Sequence, residues 1–205
     1  MRKAKLYACL CVFGLLFAGV ARADTIFTLN VDGCTGGCGT GPYGTIDLAQ
    51  SGANVNVTET LASDYVFVKS GAGDALEFNA SGTITNISSG FGVGPAPDTA
   101  STFGSFLQSV TCSGCGNGGS SPLTGPLTFT VDNVTIADFV KNSKGYYFAS
   151  DIGELGPNGT LPLLATGNVG SDGGTPVIPE PPSLVLLGTG LLVLAGAFKA
   201  KLLVG

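Results

Sequence analysis

The sequence predicts an all-β fold, an antiparallel β-sandwich with a jelly-roll-like ectodomain, and three observations carry that expectation. Short runs alternate apolar and polar residues, the period of a half-buried strand. They recur about every 8 to 12 residues with Gly, Ser, Asn and Asp between them, the rhythm of hairpin-connected strands. Between the two termini a single brief stretch carries helical signals. About eight to ten strands are expected in all.

Taken in order, Thr25 to Val31 places Phe27, Leu29 and Val31 on one face, and Gly33 to Pro42 turns the chain. Thr45–Ala49, Asn54–Leu61 and Tyr65–Lys69 alternate in the same way, separated by Ser51-Gly52-Ala53 and Ala62-Ser63-Asp64, so antiparallel hairpins are expected. Ala75–Asn79 and Thr83–Ile87 continue the pattern before a long Gly/Pro loop from Ser88 to Thr102. Phe103–Thr111, Leu127–Val131 and Tyr146–Asp151 supply the later strands. Thr135 with Asp138 three residues on reads as an N-cap pair, Ile136, Phe139 and Val140 share a face, and Gly145 follows, so one short helix is expected from Thr135 to Asn142. From Gly153 to Pro182 Gly, Pro, Ser, Thr and Asn dominate, and the part after about Gly170 reads as a flexible tether.

Both ends read as addresses. Arg2, Lys3 and Lys5 precede an apolar stretch from Leu6 to Val20, and Ala21-Arg22-Ala23 is a small-x-small site before Asp24. This is the pattern of a Sec-type signal peptide, with signal peptidase and the Sec translocon as its partners and Asp24 as the mature N-terminus. At the other end Pro179, Pro181 and Pro182 lack backbone donors and keep their segment extended, so a helix can begin only after Ser183. Leu184 to Phe198 is apolar on every face and ends at Lys199 and Lys201. Those fifteen residues would rise roughly 22 Å against a hydrocarbon core about 30 Å thick. Lysine snorkelling and Leu202-Leu203-Val204 supply the rest, which predicts a transmembrane helix over 184–204.

Pro179-Glu180-Pro181, a small polar residue, a Leu/Gly-rich span and a basic end together resemble the PEP-CTERM sorting signal, over about the last 27 residues. Two lysines stand here where that family's pattern has an arginine-rich cluster. The resemblance implies handling by exosortase, a membrane transpeptidase or protease of exopolysaccharide-producing Gram-negative bacteria. It implies an inner-membrane-anchored intermediate, then delivery to the cell surface or extracellular matrix. The expected organisation is a signal peptide over 1–23, a β-sandwich ectodomain over 24–170, a linker over 171–178 and the sorting signal over 179–205.

About 155 residues remain between the addresses, enough for one domain with a proper core. From Asp24 to Ile178 three bases, Lys69, Lys141 and Lys144, face thirteen acids, a net charge of -10. Such a surface argues against nucleic acid and anionic lipid as partners. The chain has no His and no Trp, which removes the commonest general base and the side chain that most often stacks on sugars.

Four cysteines remain after signal removal, in Cys34-x3-Cys38 and Cys112-x2-Cys115, and four permit three connectivities. Close spacing in glycine loops favours two local bridges in an exported protein; a four-thiolate zinc site or crossed bridges are the alternatives. Serine nucleophiles have no His partner and no Ser-Lys motif. Of the glutamates that could pair as glycosidase carboxylates, Glu59, Glu77 and Glu154, the first two lie in alternating strands and read as solvated outer-face residues. Asp32, Asp98 and Asp172 are loop carboxylates open to calcium without a recognisable calcium motif. Thr58-Glu59-Thr60, Thr83-Ile84-Thr85 and Thr128-Phe129-Thr130 have the Thr-x-Thr form of ice-binding surfaces, but their irregular spacing predicts no array. Asn56, Asn79, Asn86, Asn133 and Asn158 each open an Asn-x-Ser/Thr triplet.

No catalytic residue, metal ligand or cofactor is therefore assigned. The expected function is an exported surface or matrix protein, structural or adhesive in exopolysaccharide or biofilm. The alternative is an extracellular carbohydrate-binding or carbohydrate-cleaving module on the same sandwich.

Overall fold

The computed structural model describes residues 24–177. The expected signal peptide, with Ala21 and Ala23, and the expected sorting signal, with Pro179, Glu180 and Pro181 and the helix over 184–204, lie outside the described residues. Among the described residues no helix is long and apolar enough to cross a membrane.

The chain forms β1 (Asp24–Leu29), β2 (Val31–Asp32), β3 (Gly44–Ser51), β4 (Asn54–Leu61), β5 (Tyr65–Phe67), β6 (Leu76–Phe78), β7 (Thr83–Thr85) and β8 (Gly92–Val93). Then follow β9 (Asp98–Ala100), β10 (Gly104–Phe106), β11 (Gln108–Thr111), β12 (Leu127–Asp132), β13 (Phe148–Gly156), β14 (Thr160–Ser171) and β15 (Gly174–Val177). One large sheet runs β15-β1-β3-β4-β12-β7, a second runs β2-β14-β13-β6-β11-β8 with β5 added on β13, and β9 and β10 pair as a separate two-stranded ribbon. Every pairing of the named strands is antiparallel.

The two sheets share one core. Leu29, Ile46, Leu48, Val57, Leu127 and Phe129 come from the first sheet and Phe67, Leu76, Phe78, Val110, Phe148 and Ile152 from the second. Phe78 is its hub, with ring centroids 5.5 Å from Phe129 and 5.6 Å from Phe139. Burying aromatics of this size contributes about 1.5–3 kcal/mol each. A smaller second cluster lies on the far face of the second sheet, where Phe103, Phe106 and Ala100 of the β9–β10 region pack on Ala149. That far face is therefore covered, which decides the character of the site below.

Several expectations are corrected. The stretch Thr25–Val31 breaks at Asn30, whose N–H bonds Gly170 O at 3.0 Å, so β1 stays in the first sheet while β2 joins the second. Phe103–Thr111 divides at Leu107, whose N–H is taken by Asn79 Oδ1 at 2.8 Å, into strands of different sheets. The expected helix over Thr135–Asn142 contracts to a single 3-10 turn, Ile136–Asp138. Asp138 Oδ2 accepts from the Thr135 N–H at 2.7 Å, and Phe139 leaves the turn for the core.

The largest correction is after Gly153. Residues to which the sequence assigned no strand form β14, twelve residues long and paired with β13. The hairpin turns through Asn158 and Gly159, both at positive φ, 64° and 69°. Pro162 is tolerated because that half of β14 has β13 on one side and no strand on the other among the described residues. The tether expected over 171–178 is likewise largely strand: β15 pairs with β1 in the register Asp24↔Val177, so the β domain extends to Val177.

Candidate functional site

Two features of the described residues are chemically unusual, a polar grid on one surface and a layer of carboxyls inside. The grid comes from the register of the first sheet. In β1, β3, β4, β12 and β7 the residues opposite in parity to Phe27, Ile46, Val57 and Phe129 face outward. Cross-strand pairing then aligns Thr28↔Thr45↔Thr60 in one row. Asp47↔Thr58↔Thr128 form the next row, and Ala49↔Asn56↔Thr130↔Thr85 the third. Neighbours across a row stand about 4.8 Å apart, and rows about 6.7 Å apart. The three Thr-x-Thr triplets, expected to form no array, lie on the adjacent strands β4, β12 and β7, where Thr58 pairs with Thr128 and Thr130 with Thr85 while Thr60 pairs with Thr45 and Thr83 with Asp132, so they enter one mixed polar face. Irregular spacing along the chain is erased by the loops that return each strand to its neighbour. Thr130 Oγ1 donates to Asn56 Oδ1 at 3.1 Å and Thr85 Oγ1 to Asp132 Oδ2 at 3.1 Å, which stiffens the grid.

The carboxyls tell a different story. Glu59 and Glu77, expected on solvated faces, are both fully buried. Glu59 shares the parity of Val55 and Val57 and enters the main core opposite Ile46 and Leu127. Desolvation raises its pKa from 4.5 to about 8, and the hydroxyl of Ser150 pulls it back slightly. Neither Glu59 oxygen nor Ser150 Oγ makes a hydrogen bond of good geometry. A neutral carboxyl, which carries its own donor, suits this setting better than a carboxylate. Parity alone would have placed Glu59 inward.

Glu77 does point to the outer face of its sheet, but there the loops around β9 and β10 cover it. With it lie Ser109, Asp151 and Asn168, all fully or almost fully buried, while Asp74 and Asp98 are half-buried. Asp151 accepts from Ser70 N and Ser70 Oγ, both at 2.7 Å; Asp74 Oδ2 accepts from Ser109 Oγ at 2.5 Å; Glu77 Oε1 accepts from Asp74 N at 3.1 Å. Burial raises Glu77 to about 9 and Asp151 to about 6, and it raises Asp74 as well, with the charge of Asp98 adding. No sequence pattern marks this layer, since it is assembled from β6, β9, β11, β13, β14 and the loop that leads into β6.

Disulfides join Cys34 to Cys38 and Cys112 to Cys115, with Cα–Cα distances of 5.6 Å and 5.3 Å. They fit an oxidising compartment outside the cytoplasm. Asp32 accepts from Cys34 N at 2.9 Å and Cys38 N at 3.1 Å, which ties the first loop. Asp32, Cys34 and Cys38 are the one group of three acid or sulfur atoms within 4.8 Å of one another among the described residues, but both sulfurs are spent in the bridge. Asp24 opens β1, and Asp172 lies exposed between β14 and β15. Glu154 lines an open cleft of about 450 Å³ with Thr40, Asp64 and Tyr65. Asn79 is buried, so its triplet is closed to modification, whereas Asn56 and Asn86 are exposed.

No family model, curated protein or solved structure matches the chain.

Proposed function

We propose that this chain is an exported, non-catalytic surface or matrix protein whose jelly-roll-like ectodomain lies in exopolysaccharide and touches it through the threonine grid. The grid is the observation that carries the reading. Apart from Asp47 and Asp132 it offers neutral hydroxyls and amides, which exchange hydrogen bonds with the hydroxyls of a polysaccharide without the desolvation that ions demand. Threonine is stiff at χ1, so little side-chain entropy is lost on contact. Each contact is weak, and repetition over several rows and many copies along one polymer makes retention strong. In this reading exosortase, acting at Pro179-Glu180-Pro181, delivers the domain from its membrane-held intermediate to the matrix.

The test is co-sedimentation of the exported chain with exopolysaccharide, together with a glycan array, for wild type and a Thr58→Glu/Thr130→Glu double variant. Wild type binds, and the variant loses about tenfold in affinity; Thr58 and Thr130 are half-buried on the outer face, so circular dichroism and thermal unfolding of the variant check that the fold is kept. Equal binding by both proteins refutes the grid as the contact. The same rows support a second reading, ordering of water at an ice surface, which the right-handed twist of the sheet disfavours. Thermal hysteresis of wild type, absent in the double variant, would select it.

A further inference from the structure

We propose that the pocket at the outermost row of the threonine grid is a subsite for one neutral 6-deoxy sugar, a methyl-bearing ring at the end or on a branch of the polymer. The inference rests on the matrix reading for the source of that sugar and adds the residues that select it. Thr28, Thr45 and Thr60 form the row, and with Pro42, Leu61 and Ala62 they line an open pocket of about 360 Å³. Ligand pockets run from about 300 to 1,000 Å³, so this one has room for a ring or two and not for a chain. Backbone pairing continues past the start of β3 to hold its rim. The Tyr43 N–H bonds Leu29 O at 2.9 Å, and the Ala62 N–H bonds Tyr43 O at 2.8 Å. A methyl on Gly44 would stand 2.6 Å from Thr60 O, so this glycine lets β3 close on β4 beside the pocket.

The lining names the ligand. Hydroxyls of Thr85 and Thr130 are spent on Asp132 and Asn56, whereas those of Thr28, Thr45 and Thr60 bond no other group among the described residues. They stand about 4.8 Å apart across the strands and are stiff at χ1, a fixed row for ring hydroxyls to meet. The rest of the lining is aliphatic, from Pro42, Leu61 and Ala62. Against such a wall the hydroxymethyl of an ordinary hexose loses its water without gaining a partner, while the methyl of a 6-deoxy sugar gains by burial. One such difference in an apolar pocket is worth about tenfold or more. No residue of the lining is charged, so a uronic acid would leave its hydration shell with no cation to receive it. No aromatic ring lines the pocket either, so methyl burial does here what ring stacking does elsewhere.

The full exported chain, kept in mild detergent, is titrated by saturation-transfer NMR with the methyl glycosides of L-rhamnose and L-fucose. Each is run beside its 6-hydroxy counterpart, L-mannose or L-galactose, and beside methyl glucuronide. At least one deoxy sugar binds at about millimolar affinity and about tenfold tighter than its counterpart, and the glucuronide does not bind. Thr45→Val keeps the branched shape and removes one hydroxyl, which weakens binding about fivefold. Ala62→Leu fills the pocket and abolishes it. Thr99→Val, at an exposed threonine of β9, leaves it unchanged. Circular dichroism checks each fold, and should Ala62→Leu not fold, Thr45→Val decides. No deoxy-sugar binding at about 20 mM, equal binding of deoxy and 6-hydroxy sugars, or full binding by Thr45→Val overturns the proposal. Co-sedimentation separates it from the matrix reading: deoxy-sugar binding without retention on exopolysaccharide keeps the pocket and refutes the grid, and retention without deoxy-sugar binding does the reverse.

Discussion

Replacing Glu59 by Gln should lessen the fall in this protein's stability with rising pH. The native chain keeps the Glu59 proton up to about pH 8, against an ordinary value of 4.5, because the carboxyl sits fully buried between Ile46 and Leu127 with Ser150 as the polar group facing it. Below 4.5 both native and unfolded chains hold the proton, and the site has no pH effect. Above 4.5 the unfolded chain releases a proton that the native chain retains, so stability falls with rising pH and levels off above about 8. At about 1.4 kcal/mol per unit, wild type loses about 4 kcal/mol through this residue between pH 5 and pH 8. That is a large fraction of the about 5–15 kcal/mol that holds a typical domain folded. Glu59→Gln keeps the volume and removes the titration. Urea unfolding of the disulfide-intact chain at pH 5, 6, 7 and 8, with chelator throughout, measures the difference. The variant should lose about 4 kcal/mol less than wild type over that range. Parallel pH profiles for the two proteins would show that Glu59 does not carry its proton in the core, and the reasoning would fail.

Two further outcomes are expected. Changing Cys34 and Cys38 together to Ser removes a loop closure worth about 2 kcal/mol, whereas the same change at Cys112 and Cys115 costs more because both are buried in the main core; chemical unfolding with intact-mass analysis under non-reducing conditions separates the two. Changing Pro179, Glu180 and Pro181 to Ala leaves the apolar run untouched, so the chain still enters the membrane but full-length protein accumulates there in an exosortase-bearing host; immunoblots of membrane and secreted fractions read this, and wild-type processing of the variant would reduce the stretch to a tail anchor.

Alternation along the chain was enough to identify an antiparallel all-β domain and its early hairpins, because the side-chain period of a strand is a local property. The same parity, applied to Val55, Val57 and Glu59 together, already turns Glu59 inward; expecting solvent there set the charge of one residue against the pattern of its neighbours. Cysteine spacing made the two bridges legible, since three- and four-residue separations in glycine loops close without help from the rest of the fold. The late strands β14 and β15 were hidden by glycine and proline, although Asn158-Gly159 marked the hairpin between β13 and β14. What no stretch of sequence reveals is adjacency between strands distant in the chain. Tertiary structure alone set Thr58 beside Thr128 and Thr130 beside Thr85, laid the β9–β10 flap over Glu77, and brought Asn168 to the same buried layer. The sequence by itself thus determined the early strands and the two bridges. The grid and the carboxyl layer were decided by which strands pair and which face is covered, because pairing and burial join residues that local periodicity cannot relate.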